Sequence, residues 1–296
     1  MVQTIAQPIP KTIHYCWFGG ARLPSIAKRC IRSWKKHCPD YEIIEWNENT
    51  FEVAKAPIYV QQAYDARKWA FVSDYVRLFV LYNQGGVYMD TDLEVIRPID
   101  AFLKHRAFSS FENEHSIPTA IMGSEARNGW IGMLLNDYEN RQFVRPDGSY
   151  DCTTNVITIT TLTVKHYGIV LDNTYQELRD GVVIYPNSYF CPKVFSIGQV
   201  MLTDDTHTVH HYEASWFDKD EARKYRLHRR LYPTIGVAFE AYNRGDWKTA
   251  YQKGLRGLLE NPRCIGNRGM WAVILKSLWR ARLPRHNRNG DVSNGT

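Results

Sequence analysis

The feature that most constrains this fold is the stretch from Lys68 to Val95, where a helical pattern ends at two glycines and an apolar run follows. Gly85 and Gly86 predict the end of the helix, because glycine adopts the left-handed conformation there without steric penalty. Residues 87–89 then predict a short buried strand. The helical part rests on apolar residues at helical spacing, namely Val72, Tyr75, Val76, Phe79 and Val80.

Two aspartates, Asp90 and Asp92, follow this strand directly. Side chains at positions i and i+2 of an extended chain point the same way, so the two carboxylates share one face. Converging carboxylates repel each other unless a positive charge lies between them. Mg²⁺ and Mn²⁺ are commonly bound by carboxylates together with substrate phosphates. The pair therefore predicts a divalent-ion site for a phosphorylated ligand, with two solvated acids in a turn as the alternative.

A second acidic pair with the same spacing, Asp218 and Asp220, provides an internal comparison. It precedes residues 221–224, and the pair looks like acids in the first turn of a helix, where they cap the helix and interact favourably with its dipole. Neither a glycine-stopped helix nor an apolar strand precedes this pair. We therefore assign the ligand site to Asp90 and Asp92.

The N-terminal part predicts a parallel α/β sheet. Residues 11–18 and 41–46 have strand character, and residues 26–37 between them fit an amphipathic helix. Ligands of open α/β sheets bind at the carboxyl ends of the strands. Trp17 and Asp90 both fall at such ends. Further on, residues 151–163 are rich in β-branched side chains and fit a strand or a helix equally.

The motif S-D-x-x-R…G-G-x-Y-x-D-x-D resembles the sugar-nucleotide site of glycosyltransferase family 32 and of the related domain of large glucosylating toxins. The resemblance covers about residues 9–218 and implies a GT-A-type, Rossmann-like α/β domain. It also implies a metal-dependent transfer of a hexose from a nucleotide sugar to an acceptor hydroxyl, with retention. The positions that carry the motif are Ser73, Asp74, Arg77, Gly85, Gly86, Tyr88, Asp90 and Asp92.

The resemblance implies a role for several of these residues. Asp74 would hold sugar hydroxyls or the ribose, Arg77 would contact the sugar and the diphosphate, and Tyr88 would belong to the donor site. Arginine suits this task because its planar fork matches phosphate oxygens and stays charged. Trp17, in the sequence IHYCWFGG, would stack on the nucleotide base; a plain core role is the alternative.

The segment H-H-Y-E-A-S-W at residues 210–216 resembles the closing motif of the same family. Its spacing to the tryptophan indicates His211 as the residue that completes the metal site, with His210 as the alternative. Ser215 and Trp216 would lie on a loop over the donor and exclude water. Asn155 would border the sugar and acceptor pocket.

The resemblance also implies the ligands. We expect Mn²⁺ or Mg²⁺ as the cofactor, a UDP-hexose donor in preference to a GDP-hexose, and a glycan or lipid-linked glycan acceptor such as an intermediate of bacterial capsule assembly. No nucleic-acid partner is expected.

Charge divides the chain of 296 residues near position 219. Residues 219–296 hold 17 Lys and Arg against 6 Asp and Glu, whereas residues 1–218 hold 20 against 25. We therefore expect a catalytic domain over residues 1–218 and a basic, mainly helical region over residues 219–296 with a disordered end. Residues 231–280 fit a helix–turn–helix with its turn at Gly245 and Asp246. The segment from Lys276 to Arg288 fits either peripheral contact with an anionic membrane or a solvated end.

No apolar run approaches the roughly 20 residues that span a bilayer, and the N-terminus lacks a signal-peptide pattern. The six cysteines are scattered, which favours reduced, individually buried thiols. We accordingly expect a cytoplasmic protein, peripheral at the inner face of the membrane if the basic end binds lipid.

Two other classes of protein fit part of the pattern. A haloacid dehalogenase-type phosphatase also places D-x-D after an apolar strand, but its motif continues to Thr or Val where this chain has Glu94, and its nucleophile follows the first strand. A non-catalytic sugar-nucleotide-binding protein would not need the acids together with Arg77.

Overall fold

The computed structural model describes residues 9–194, 200–213, 238, 241–242, 245–260 and 268–281. The chain forms two compact units: one comprises residues 1–194 and 200–218, the other residues 195–199 and 219–296. The first unit contains the sheets and the acidic pair.

The first unit is built on a seven-stranded, mainly parallel sheet with the strand order β2-β1-β3-β6-β5-β8-β7. Only β6 and β7 run against the direction of the other five strands. A separate antiparallel pair joins β4 and β9. The strands are β1 Thr12–Cys16, β2 Glu42–Trp46, β3 Gly86–Met89, β4 Leu93–Val95, β5 Ala107–Ser110, β6 Ile121–Ser124, β7 Gln176–Leu178, β8 Val182–Tyr185 and β9 Thr208–His210.

Helices cover both faces of this sheet. Along β3, Val87 and Met89 belong to one apolar cluster and Tyr88 to another, as expected from alternation of side chains across a strand. The described helices are α1 Ser25–His37, α2 Ile58–Asp65, α3 Trp69–Gln84, α4 Gly129–Asn136, α5 Asn155–Tyr167, α6 Asn187–Phe190, α7 Trp247–Glu260 and α8 Arg268–Ala281. Helix α3 packs in the cluster of Tyr88, and α1 packs in the other through Cys30 and Trp34.

The glycines after α3 allow β3 to enter the sheet beside β1. Gly85 and Gly86 have φ values of 70° and 104°, which favour glycine strongly. A Cβ atom on Gly86 would lie 2.7 Å from the carbonyl oxygen of Thr12. Helix α3 is thus followed at once by the strand that carries the acidic pair, as the sequence predicts.

A buried histidine joins the first two strands to this turn. The indole N–H of Trp46 donates to Nδ1 of His14 at 3.1 Å, so Nε2 carries the proton and donates to the carbonyl of Gly85 at 2.9 Å. Burial lowers the pKa of His14 below its ordinary value of 6.5. The neutral imidazole therefore satisfies both of its partners.

Other local predictions meet different outcomes. The β-branched segment 151–163 is a helix in its larger part, because α5 begins at Asn155 and continues to a left-handed C-cap at Gly168. Of the five cysteines that the structure describes, four are buried, but Cys152 is exposed, which corrects the expectation of uniformly buried thiols. Within the described residues, no helix is long and apolar enough to cross a membrane.

The second unit contains the helices α7 and α8, which pack closely against each other. A Cβ atom on Gly254 would lie 2.6 Å from Cγ1 of Ile274, so the absence of a side chain permits this approach. Gly245 takes a φ of 79° just before α7, at the turn that the sequence predicts. The predicted disordered end and the basic residues from Arg282 onward lie outside the described residues.

Candidate active site

Asp90 and Asp92 lie at the carboxyl end of β3. The backbone N–H of Asp90 donates to the carbonyl of Ala120 at 2.9 Å, and that of Leu93 donates to the carbonyl of Asp90 at 2.9 Å, so the chain turns here. The two aspartate side chains are 24% and 16% exposed. Ligand atoms of Asp90, Asp92 and His210 all lie within 4.8 Å of one another. Three donor groups therefore converge at the end of this strand.

Arg77 holds the first aspartate from helix α3. One Nη atom donates to Oδ1 of Asp90 at 3.0 Å and to the carbonyl of Thr119 at 2.8 Å, while the other donates to Oδ1 of Asp74 at 2.8 Å. Its Nε donates to the carbonyl of Ser73 at 3.3 Å. The side chain is only 5% exposed. Because a guanidinium has five N–H donors, these contacts occupy four of them.

Tyr88 reinforces this arrangement from β3. Its hydroxyl donates to Oδ1 of Asp90 at 2.9 Å, and the guanidinium of Arg77 lies 4.5 Å from the centre of its ring. Oδ1 of Asp90 thus accepts hydrogen bonds from both side chains. Among the described residues, none donates to Oδ2. The carboxylate is therefore fixed through one oxygen and can offer the other to a cation.

Asp74 shares the guanidinium of Arg77 with Asp90, and its side chain is 14% exposed. Burial raises the pKa of Asp74 to about 6, although the charge of Arg77 acts in the opposite direction. The amide of Asn155 donates to the backbone carbonyl of Asp74 at 3.2 Å. Asn155, which the family resemblance places at the acceptor pocket, thus contacts the turn of α3 that contains Asp74.

The structure brings His210, where the sequence favoured His211, to the acidic pair. Nε2 of His210 lies 3.3 Å from Oδ1 of Asp92. His210 is the last residue of β9 and pairs with Leu93 of β4. Because successive side chains of a strand point to opposite sides, this register directs His210 and its neighbour to different places. The alternative ligand that the sequence left open is thus the one that the geometry favours.

His211 instead lies against a different set of charges. Its Nε2 is 2.8 Å from Oε2 of Glu94 and 3.2 Å from a guanidinium nitrogen of Arg29. Burial lowers the pKa of His211, while Glu94 acts in the opposite direction. Its backbone N–H donates to the carbonyl of Asp92 at 2.9 Å. The main chain of His211 therefore supports the turn of the acidic pair, while its imidazole faces Glu94.

Asp92 and His210 form a buried pair of opposite charge. Burial by itself opposes both charges, but the mutual attraction dominates, so the pKa of Asp92 is lowered and the pKa of His210 is raised well above 6.5. Nδ1 of His210 is buried and has no hydrogen-bond partner among the described residues. A proton on this imidazole occupies a place that a cation would take, since metal ions and protons compete for the same ligand atoms.

The donor set fits a divalent cation. Two carboxylates and one imidazole are a mixed oxygen and nitrogen set, which suits Mn²⁺ better than the all-oxygen preference of Mg²⁺. Oδ2 of Asp92 also accepts from the backbone N–H of Glu213 at 2.8 Å, which fixes its orientation. Asp90, Asp92 and His210 are accordingly the residues that would hold the ion.

Trp17 follows β1, at the same edge of the sheet. Its side chain is partly buried, its backbone N–H donates to the carbonyl of Trp46 at 2.9 Å, and its indole donates to the carbonyl of Ala21 at 2.6 Å. Gly19 follows with a φ of 88°, and a Cβ atom there would lie 2.5 Å from the indole of Trp69. The base-stacking role of Trp17 stays a prediction. Ser215 and Trp216 lie outside the described residues.

Sequence reasoning missed two groups near the site. The carbonyl of Thr119 accepts from Arg77, yet a main-chain acceptor leaves no mark in the sequence. Glu112 follows β5, and burial raises the pKa of its carboxyl while the charge of His210 lowers it. A short strand ending before an acid is the signal that could have indicated Glu112.

Comparisons with known proteins find similarity over the part of the chain that contains Asp90 and Asp92. Residues 24–109 match the family described as "Glycosyltransferase sugar-binding region containing DXD motif". The chain is 30% identical over 123 residues to inositol phosphoceramide mannosyltransferase 3 of Schizosaccharomyces pombe, covering 39% of this chain and 33% of that protein. It is 29% identical over 107 residues to the initiation-specific alpha-1,6-mannosyltransferase of Saccharomyces cerevisiae, covering 32% and 22%.

The chain thus spans about a third of the length of the first curated relatives that it matches. Among solved structures, PaToxG glycosyltransferase is 18% identical with a TM-score of 0.41, covering 54% of this chain and 70% of that one. A glycosyltransferase involved in glycosylation of the major capsid of PBCV-1 is 10% identical with a TM-score of 0.39, covering 73% and 99%.

The mainly parallel sheet carries the acidic pair at the end of β3, and this pair lies within the residues that match the DXD-containing sugar-binding region of glycosyltransferases. The match covers residues 24–109 of the chain, which include the motif over residues 73–92. The acidic pair follows β3, whereas the nucleophile of the phosphatase alternative would follow the first strand of the chain.

Proposed function

We propose that this protein transfers a hexose, with retention, from a nucleoside diphosphate sugar to a hydroxyl of a glycan or lipid-linked glycan. Mannose is the sugar that the names of the curated relatives favour. The family resemblance favours UDP as the nucleotide, and GDP is the other candidate. The observation that carries the proposal is the convergence of Asp90, Asp92 and His210, with Asp90 held by a hydrogen bond from Arg77.

The residues of the chain have separable tasks in this proposal. Arg77 and Tyr88 fix Oδ1 of Asp90, so that Oδ2 is available for a ligand. The backbone N–H of Glu213 fixes Asp92 in the same way. A preorganised site of this kind avoids the cost of reorienting charges when the transition state forms. Asp90 and Asp92 therefore bind, while Arg77 and Tyr88 act as positioning residues.

The contacts of Arg77 refine the role that the family resemblance gives to it. Four of its five N–H donors already bind protein acceptors, and the remaining one is on the nitrogen that contacts Asp74. The arginine can thus offer a single N–H to the donor sugar or to its diphosphate. Its main effect on the ligand is exerted through Asp90.

A divalent ion, when bound, supplies positive charge that stabilises the departing diphosphate. The chain supplies the groups that would hold it, and Mn²⁺ is the ion we expect from the mixed donor set. Asp74 remains near the site with a raised pKa, and we assign to it the hydroxyls of the sugar or ribose. Its carboxylate can accept hydrogen bonds from such hydroxyls.

The test is a panel of UDP- and GDP-hexoses with Mn²⁺, scored by slow hydrolysis of the donor and by thermal shift. One donor should be hydrolysed, and Asp92→Asn should lower that rate by roughly 10²-fold or more, because the counter-charge for the diphosphate is lost. The matched control is Asp65→Asn, an exposed aspartate at the end of α2, which should hydrolyse as the wild type does. With the acceptor in hand, the anomeric configuration of the product measured by NMR tests retention.

The proposal fails if no sugar nucleotide stabilises the protein in the presence of Mn²⁺, or if a chelator leaves hydrolysis unchanged. An equal loss of activity in Asp92→Asn and Asp65→Asn would also contradict it, since only the first change removes a ligand of the proposed site.

A further inference from the structure

Helix α8 in the second unit exposes large apolar side chains along one side. Trp271, Leu275 and Trp279 are 38%, 59% and 65% exposed, and we call these three residues the apolar stripe. They follow one another at intervals of four residues, so they lie above one another on a single face of the helix. At 1.5 Å per residue, the stripe is about 12 Å long.

The stripe is not the face that joins α8 to α7. Val273, Ile274 and Ser277 are buried, and Ile274 packs against the bare backbone at Gly254 of α7. At 100° per residue, the mean direction of these three buried residues is roughly opposite to that of the stripe. The exposed face of a helix normally carries polar residues. The exposed face of α8 carries tryptophan and leucine instead.

The charge around the stripe has one sign. Helices α7 and α8 together carry six Lys and Arg against the single acid Glu260, and α8 has no acidic residue. Lys276 is exposed next to the stripe. An exposed apolar face with tryptophans on it, on a helix whose charged residues are all basic, is typical of a helix that lies in the plane of a membrane interface.

We propose that the apolar stripe inserts into the surface of an anionic lipid bilayer, with α8 lying parallel to the membrane plane. The 14 residues of α8 are too few to span a bilayer, which takes about 20. They are enough to bury two or three side chains at the level of the lipid headgroups. This inference deepens the proposed function and rests on it in one respect. Contact with the membrane would hold the enzyme at a surface that contains a lipid-linked acceptor.

A lipid surface fits these observations better than a second copy of the chain. In a symmetric dimer through the stripe, two helices without any acidic residue would face each other, and their like charges would repel. An anionic bilayer instead attracts such a helix, because the negative headgroups interact favourably with its basic residues. The occupant we assign is therefore anionic phospholipid.

The test is sedimentation of the full chain with vesicles of phosphatidylcholine alone or mixed with phosphatidylglycerol, at low salt. The wild type should sediment with the mixed vesicles. Leu275→Asn combined with Trp279→Ser should weaken this binding about tenfold or more, since two large apolar side chains no longer leave water. Leu259→Asn is the matched control, because Leu259 is 82% exposed on α7 and lies outside the stripe; it should bind as the wild type does.

Three readouts keep the outcomes distinct. Tryptophan fluorescence of the wild type should be quenched by brominated lipid, a result that needs no variant to fold. Hydrolysis of a soluble donor should be unchanged in both variants, so a failure of the proposed function shows in that assay and not in sedimentation. The inference is overturned if the wild type ignores anionic vesicles, if brominated lipid leaves its fluorescence unchanged, or if the stripe variant changes only the oligomeric state in ultracentrifugation.

Discussion

The guanidinium of Arg77 and the carboxylate of Asp90 meet at 3.0 Å, and the same nitrogen of Arg77 contacts the carbonyl of Thr119 at 2.8 Å. Asp90 is thereby tied to the loop before β6 as well as to helix α3. The orientation of this aspartate is a property of three segments that are distant in sequence. Substitution of a residue that holds Asp90 in place should therefore impair the site even where that residue touches no ligand.

Replacing Arg77 by methionine should destabilise the protein by about 3–5 kcal/mol, because Asp74 and Asp90 would lose the charge that compensates their burial. Urea unfolding measures this change. Arg145→Met is the control: Arg145 is 51% exposed, and its partner Asp151 keeps the bond from Arg141, so the loss should be at most about 1 kcal/mol. Similar losses of unfolding free energy in the two variants would contradict a special role for Arg77 in compensating Asp74 and Asp90.

The two neighbouring histidines allow a sharp test of the metal ligands. Mn²⁺ and the donor nucleotide should raise the melting temperature together by more than the sum of their separate effects, which is a coupling free energy between the ligands. His210→Ala should remove this coupling, because the imidazole near Asp92 is lost. His211→Ala should retain it, since that imidazole faces Glu94. The opposite result would restore His211 as the ligand that the sequence favoured.

Trp17→Ala should weaken binding of the nucleotide by about 1–3 kcal/mol if the indole stacks on the base. Isothermal titration with the free nucleoside diphosphate measures this. Trp17→Phe preserves an aromatic face and should retain most of the affinity, which separates stacking from the hydrogen bond to Ala21. A folded alanine variant with unchanged affinity would return Trp17 to a packing role.

Acid should destabilise the protein partly through His14. Burial lowers the pKa of this imidazole below 6.5, so below pH 6.5 the unfolded state binds more protons than the native state. The free energy of unfolding that His14 contributes is therefore complete above pH 6.5 and declines as the pH falls through its lowered pKa.

Urea unfolding between pH 5 and pH 8 should show a shallower decline at low pH in His14→Gln than in the wild type. Because other histidines titrate as well, the quantity to compare is the difference between these two proteins. His115→Gln, an exposed site, should follow the wild type across the whole range. Parallel curves for all three proteins would rule out the contribution of His14.

The sequence predicts best where the signal is local. Helical spacing, two glycines and an apolar triplet lie within one continuous stretch, and they specify α3, β3 and the acidic turn without help from distant residues. The fate of residues 151–163 was open because threonine, isoleucine and valine fit both structures. It is decided by contacts such as that of Thr163 with the indole of Trp130 at 2.9 Å, which no local pattern reveals.

The histidine that lies beside the acidic pair could not be identified from the sequence for a related reason. The choice between His210 and His211 depends on the register of β9 against β4, two strands whose paired residues Leu93 and His210 are far apart in the chain. A shift of that register by one residue would exchange their directions. Spacing within the motif contains no information about this pairing.

Strand β6 is antiparallel to both of its neighbours, so its N-terminal end lies at the edge of the sheet where the carboxylates lie. Two main-chain carbonyls, of Thr119 and Ala120, consequently serve Arg77 and the backbone of Asp90. Every amino acid has such a carbonyl, so a codon change at position 119 leaves the acceptor in place. An inserted or deleted codon at this N-terminal end would move the carbonyls by about 3.3 Å and withdraw both at once. The loop should therefore tolerate changes of residue and reject changes of length.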